Sequence, residues 1–92
     1  MYLVEFLLTK PRTAPQAREH ASLDALRSAC LPQDGVEHIR VHTSRAGARG
    51  VFFCRAPDLE QAVSRTYAVC RRALELRPEF RGWEITRVAG AL

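Results

Sequence analysis

The 92-residue sequence predicts an α+β fold in which one four-stranded antiparallel sheet carries two helices on one face. Two observations point to this fold. Apolar residues recur with a period of two in some segments and at helical spacing in others, and short breaks containing Pro or Gly separate those segments. The resulting order is strand, helix, strand, strand, helix, strand, and right-handed crossovers place both helices on the same side. With 47% hydrophobic residues the chain can bury one core, so residues 1–92 are expected to form a single domain.

The first strand and the first helix lie on either side of a break that contains two prolines. Residues 2–9 are rich in β-branched, aromatic and leucine side chains, and the sequence "KPRTAP" ends the strand because proline cannot donate to a ladder. A helix is expected to begin at Thr13 as N-cap, with Gln16 three positions later. Its apolar stripe contains Leu23, Leu26 and Cys30.

The middle of the chain predicts two strands joined by a flexible connection. Apolar and polar side chains alternate in residues 35–43, which is the pattern of a half-buried strand with Ile39 and Val41 on its apolar side. The Gly-containing residues 44–49 form the connection. Residues 50–55 are expected to form the third strand.

The second helix has the clearest helical pattern in the chain. Asp58 and Gln61 occupy capping positions after Pro57, and apolar or small side chains follow along one stripe from Leu59 to Leu74. The sequence "RPEFRG" ends this helix. The last strand is then predicted in "WEITRV", residues 83–88.

This order of elements resembles the ferredoxin-like superfold along almost the whole chain. The superfold hosts many unrelated functions, so the resemblance implies an architecture in which the first and last strands are neighbours, as are the second and third, and no single activity. Dimeric α/β barrels share this architecture. They include small isomerases, polyketide cyclases and haem- or quinone-handling monooxygenases, and they pack two sheets together or enclose a cavity between them. No motif of those enzymes is present in this sequence.

The sequence "RGVFFCRA", residues 49–56, partly resembles the octapeptide with which RNA-recognition domains stack bases. Arg49 and Phe53 fit its pattern, whereas Val51 stands at a place that is normally aromatic. The partner hexapeptide on the first strand would need Tyr2 to face outward. That orientation would also bury Glu5 in the apolar core, at a cost of several kcal/mol. RNA binding therefore stays an alternative and nucleic acid is not the expected partner.

Strand alternation predicts the side chains on the sheet face opposite the helices, which we call the open face. Charged and aromatic residues are mixed there with aliphatic ones, so this face is neither a core nor an ordinary wet surface. The predicted open face contains Leu3, Glu5, Leu7, His38, Arg40, His42, Val51, Phe53, Arg55, Glu84, Thr86 and Val88.

The apolar part of the predicted open face favours contact with another molecule, because a contiguous apolar patch is costly to leave in water. We expect a homodimer that packs through this patch. The patch contains Leu3, Leu7, Val51, Phe53 and Val88. The alternative is a solvated face on which Arg40 and Arg55 form cross-strand pairs with Glu5 and Glu84.

A small organic ligand, anionic in the preferred interpretation, or a protein partner is the expected occupant of this face. Arginines would hold an anionic group above an apolar surface. The candidate ligand-binding residues are Arg40, Arg55, Phe53, Val51 and Leu7. An accessory or binding module is therefore preferred over an enzyme.

The alternative function is a cofactor-free isomerase or cyclase of the dimeric barrel type. Imidazole titrates near neutrality, and the pKa of a shielded carboxylate can be raised toward it, so these groups could exchange protons with a substrate. The candidate acid–base residues are His42, His38, Glu5 and Glu84.

Composition and residue spacing argue against several other classes. The net charge of +4 comes from 14 basic and 10 acidic residues, and the arginines are scattered rather than clustered as in a nucleic-acid arm. His38 and His42 lie about 13 Å apart along an extended strand and cannot share one metal ion. No metal and no cofactor are expected.

The cysteines and the start of the chain suggest the compartment. Cys30, Cys54 and Cys70 lack CxxC spacing and all fall on inward positions, which favours reduced, inaccessible thiols and the cytoplasm. The apolar start "MYLVEFLL" carries Glu5 and is too short to span a bilayer, so no membrane is expected as a partner.

Overall fold

The computed structural model describes residues 1–91 and has the predicted architecture. Four strands form one antiparallel sheet in the order β2-β3-β1-β4, and two helices pack against the same face of it. The fold class and the predicted strand neighbours are therefore confirmed. The elements are β1 (Tyr2–Thr9), α1 (Glu19–Ser28), β2 (Val36–Ser44), β3 (Gly47–Cys54), α2 (Leu59–Leu76) and β4 (Glu84–Gly90), with short 3₁₀ helices at Pro32–Asp34 and Pro78–Phe80.

The core lies between the sheet and the helices and is built from the inward side of each strand. Val4, Phe6 and Leu8 alternate inward along β1, and the Phe6 and Phe52 rings meet edge to face with centroids 5.2 Å apart. Tyr2 packs against the same core, as strand parity predicts. Burial of each large apolar side chain stabilises the fold by about 2 kcal/mol.

Helix α1 begins later than predicted, at Glu19 rather than after Thr13. The Lys10 ammonium donates hydrogen bonds to the carbonyls of Pro11 and Ala14, at 3.2 and 2.6 Å, and holds this segment in turns. Pro15 also disfavours a helical conformation at the residue before it. The expected N-cap at Thr13 is therefore wrong. Arg18 occupies that position and makes no capping hydrogen bond through its side chain.

Helix α2 begins as predicted. The Gln61 backbone N–H donates to the Asp58 carboxylate at 2.8 Å, which satisfies one of the free donors of the first turn. Val69, Cys70 and Ala73 on the inward stripe are fully buried. No helix in residues 1–91 is both long enough and apolar enough to cross a membrane.

Strands β2 and β3 meet in a hairpin that is tighter than the predicted connection. β3 begins at Gly47, so only residues 45 and 46 form the turn. Gly47 has a φ of 149°, and a Cβ atom at this position would lie 2.0 Å from the Leu8 carbonyl oxygen. Glycine is required here because the backbone of β1 passes so close.

Strand β4 contains a bulge that changes which side chains face outward. Leu7 pairs with Arg87 and Leu8 pairs with Ile85, which leaves Thr86 as an extra residue in β4. An extra residue shifts the alternation of the strand by one position. Val88, predicted on the open face, instead packs against the core, and Arg87 faces outward.

A largely buried ion pair links the segment after α1 to α2. The Asp34 carboxylate is almost fully buried, accepts a hydrogen bond from the Leu31 N–H at 2.7 Å, and forms an ion pair with the Arg72 guanidinium of α2. Arg72 also donates to the Ala29 carbonyl at 3.0 Å, just after α1. This network ties the end of α1 to the C-terminal part of α2.

Candidate ligand-binding face

The strand register arranges the open face into three rows of side chains that cross the sheet. The arginine row contains, from β2 to β4, His42, Arg49, Leu7 and Arg87. The central row contains, in the same order, Arg40, Val51, Glu5 and Ala89. The aromatic row contains His38, Phe53 and Leu3.

A depression with a volume of about 370 Å³ opens over the arginine row and part of the central row. Leu7 and Val51 are partly buried and give it an apolar surface, while Arg49 and Arg87 are exposed on either side of Leu7. The Cα atoms of these arginines are about 10 Å apart, because two strand spacings separate them. The depression is lined by Glu5, Phe6, Leu7, His42, Arg49, Gly50, Val51 and Arg87.

The charges around this depression are not neutralised by one another. Within residues 1–91, Arg40, Arg49 and Arg87 form no ion pair, and neither do Glu5 and Glu84. The arginines outnumber the carboxylates, so the open face carries a positive excess near the depression. Guanidinium groups above an aliphatic surface suit a ligand that combines an anionic group with an apolar body.

Arg55, a predicted ligand-binding residue, lies away from this depression and has a partner. Its guanidinium is 2.9 Å from the Glu37 carboxylate, which stands at a bulge in β2. Arg55 is six residues from Arg49 along the chain, or about 20 Å in an extended strand. The alternative in which Arg55 pairs with Glu5 or Glu84 is therefore wrong.

The aromatic row forms an apolar area next to the central row. The His38 and Phe53 rings meet edge to face with centroids 5.3 Å apart, and Leu3 is paired with Phe53 on the other side. Leu3 is 40% exposed, which is high for a leucine within a sheet. With Leu7 and Val51, these side chains form the apolar patch that the sequence predicts, without Val88.

The four acid–base candidates are only partly brought together. Glu5 and His42 line the same depression, whereas His38 lies in the aromatic row and Glu84 pairs with Thr9 at the start of β4, outside the depression. His42 Nδ1 is also 3.4 Å from a carboxylate oxygen of Glu19, at the edge of the sheet. Of the four candidates, only Glu5 and His42 therefore line this depression. No group of three side chains suited to hold a metal ion occurs within residues 1–91.

The three cysteines lie away from the open face and are free thiols. Cys54 and Cys70 are buried, as predicted, and Cys30 is partly buried. Burial raises the pKa of the Cys70 thiol to about 12 and also raises the pKa values of Cys30 and Cys54. All three are therefore protonated near neutral pH and make poor nucleophiles.

Two charged residues of the depression, Arg49 and Arg87, were not among the site residues predicted from the sequence. Arg49 could have been found, because it continues the alternation of Val51 and Phe53. Arg87 could not, because its outward position depends on the bulge at Thr86.

Comparison of the chain with models of known protein families, with curated proteins and with solved structures found no match, so the interpretation of this face depends on its own geometry.

Proposed function

We propose that the protein is a small non-catalytic binding module that holds an organic anion on its open face, enclosed between two copies of the chain. The observation that carries this proposal is the arginine row. Arg49 and Arg87 flank Leu7 in register above an apolar depression, and neither arginine has a carboxylate partner within residues 1–91.

The size and lining of the depression define the chemical class of the ligand. Its volume of about 370 Å³ is near the lower end of the usual range for small-molecule pockets. One carboxylate, sulfonate or phosphate would contact the guanidinium groups of Arg49 and Arg87. An aromatic or aliphatic body would cover Leu7 and Val51.

A second copy of the chain would close the open side of this depression. Leu3, Phe53 and Val51 leave apolar surface exposed on the same face, and packing two such faces would remove it from water.

Free thiols in all three cysteines favour a reducing compartment, for which we propose the cytoplasm.

The second candidate is a cofactor-free isomerase or cyclase of the dimeric α/β barrel type. It is favoured by one observation, the presence of Glu5 and His42 on the same depression. In that case Glu5→Gln would abolish turnover and leave ligand affinity nearly unchanged, whereas a binding module has no turnover to lose.

A pair of fluorescent dyes tests the proposed ligand class. Anilinonaphthalene sulfonate carries an aromatic body and a sulfonate, and phenylnaphthylamine has the same body without the charge. Arg49→Gln and Arg87→Gln should each weaken binding of the sulfonate dye about tenfold, as expected when a charge-assisted hydrogen bond is lost. Affinity for the neutral dye should stay within about twofold of the parent protein, because the apolar lining is unchanged.

Arg71→Gln is the matched control for this experiment, since it removes the same charge from an exposed position on α2. It should leave both dye affinities unchanged. The proposal fails if Arg49→Gln and Arg87→Gln behave like this control, or if they weaken both dyes equally.

A further inference from the structure

The central row carries one cation and one anion that are not paired within a single chain. Arg40 on β2 and Glu5 on β1 are the two register neighbours of Val51 on β3. Each is therefore one strand spacing from Val51, about 4.8 Å, in opposite directions. Both charged side chains are exposed, and neither forms an ion pair within residues 1–91.

This arrangement is self-complementary under two-fold symmetry. In an isologous dimer the same patch of both copies meets itself, and a two-fold axis running along β3 exchanges positions on either side of that strand. The axis would place Glu5 of one copy opposite the partner's Arg40, and Arg40 opposite the partner's Glu5. Val51 would meet the partner's Val51.

We propose that two copies of the chain pack through their open faces about an axis along β3, so that Glu5 and Arg40 form two symmetry-related intermolecular ion pairs. This inference rests on the homodimer of the proposed function and specifies which residues face each other across its interface. Packed sheets lie about 10 Å apart, a distance that side chains reaching from both sheets span.

Neighbouring axes give poorer interfaces. An axis along β1 would place Glu5 against the partner's Glu5. An axis midway between β1 and β3 would place Glu5 against the partner's Val51, where the carboxylate would lose water without gaining a cation. Among axes parallel to the strands near the sheet centre, the one along β3 is therefore preferred.

The aromatic row fits the same axis, and the arginine row fits it only with an anion between the two copies. Phe53 lies on β3 and would pack against the partner's Phe53, while Leu3 would meet the partner's His38. Arg49 also lies on β3 and would face the partner's Arg49. A ligand anion beside each Arg49 would offset that repulsion, while Arg87, on β4, would lie at the open margin of the site.

Charge reversal tests this register. Glu5→Arg places two like-charged pairs in each dimer, and Arg40→Glu does the same with carboxylates, so each should weaken dimerisation about a hundredfold. An equimolar mixture of the two variants should restore a dimer that contains one chain of each kind. Sedimentation equilibrium gives the dissociation constants, and native mass spectrometry identifies the mixed dimer by its mass.

Glu84→Arg is the control, because Glu84 is an exposed carboxylate of β4 that the proposed axis places outside the interface. It should leave the dissociation constant unchanged. Formation of the mixed dimer also shows that both variants are folded. A double variant carrying Glu5→Arg and Arg40→Glu in one chain should dimerise with itself.

Three results would overturn the inference. Dimers of unchanged stability in both single variants would place the interface elsewhere. Loss of dimer without rescue in the mixture or the double variant would exclude this register. A monomeric parent protein would remove the dimer of the proposed function itself, and the dye titrations would still show whether the open face binds anions.

Discussion

Charged residues are paired in one region of the molecule and unpaired in another. Between the helices, the Asp34 carboxylate is almost fully buried and has both a cation, Arg72, and a backbone N–H donor. On the open face, Arg40, Arg49, Arg87, Glu5 and Glu84 are exposed and form no ion pair within residues 1–91. The buried Asp34 carboxylate is thus paired with a cation of the same chain. The five open-face charges named above have no partner within residues 1–91 and remain available to another molecule.

The largest effect should come from breaking the internal pair. Asp34→Ala leaves the Arg72 guanidinium and the Leu31 N–H without their acceptor and should lower the free energy of unfolding by about 3 kcal/mol. Glu5→Ala, the matched change on the open face, should cost less than about 1 kcal/mol. Urea unfolding in dilute solution measures both values. Equal losses in the two variants would remove the distinction between the regions.

A charge placed in the aromatic row should act on association rather than on the fold. Phe53→Glu puts a carboxylate where two apolar faces are proposed to meet, and we expect it to raise the dimer dissociation constant about a hundredfold. Its unfolding free energy as a monomer should change by less than about 1 kcal/mol, since Phe53 is only partly buried. Sedimentation velocity and urea unfolding separate the two effects. A Phe53→Glu protein that stays dimeric would move the interface away from this row.

The buried thiol of Cys70 predicts a pH dependence on the helix side. Its pKa is raised from 9.0 to about 12 by burial, so the unfolded chain releases this proton at a lower pH than the folded chain does. Its contribution to stability is fully present below about pH 9 and falls by about 1.4 kcal/mol per pH unit from there up to the folded-state pKa of about 12. Urea unfolding of the parent and of Cys70→Ala at several alkaline pH values measures the difference in slope. Identical slopes in both proteins would show that the thiol is not shielded.

RNA should give the smallest effect. Apart from the His38 imidazole, the open face offers one stacking aromatic, Phe53, because Tyr2 packs against the core. We therefore expect weak binding of a short labelled single-stranded RNA, lost near physiological salt and little changed by Phe53→Ala. Fluorescence anisotropy of the labelled RNA measures this affinity. Sub-micromolar affinity at about 0.15 M salt that Phe53→Ala removes would restore the interpretation of "RGVFFCRA" as an RNA-binding motif.

The sequence was sufficient to predict the order of elements and most of the open face. Alternation along β1 and the middle strands identifies Glu5, Leu7, Arg40 and Val51 as outward residues, because one face of each strand is apolar. The start of α1 was not predictable in the same way, since hydrogen bonds from Lys10 hold residues near Ala14 in turns.

The outward position of Arg87 shows where local patterns stop being informative. The Thr86 bulge depends on pairing between β4 and β1, which lie at opposite ends of the chain. No residue type near Thr86 predicts it. A shift of one residue exchanges Val88 for Arg87 on the open face. It therefore adds a cation to the candidate site and removes an aliphatic side chain from it.

One face of the sheet is proposed both to bind an organic anion and to join two copies of the chain. Sedimentation equilibrium of the parent protein, with and without saturating anilinonaphthalene sulfonate, tests both parts together. Binding that favours the dimer must lower its dissociation constant, and we expect a decrease of about tenfold that Arg49→Gln abolishes. A protein that is monomeric at tens of micromolar, roughly the range in which a stable interface persists, with the dye and without it, would contradict the account.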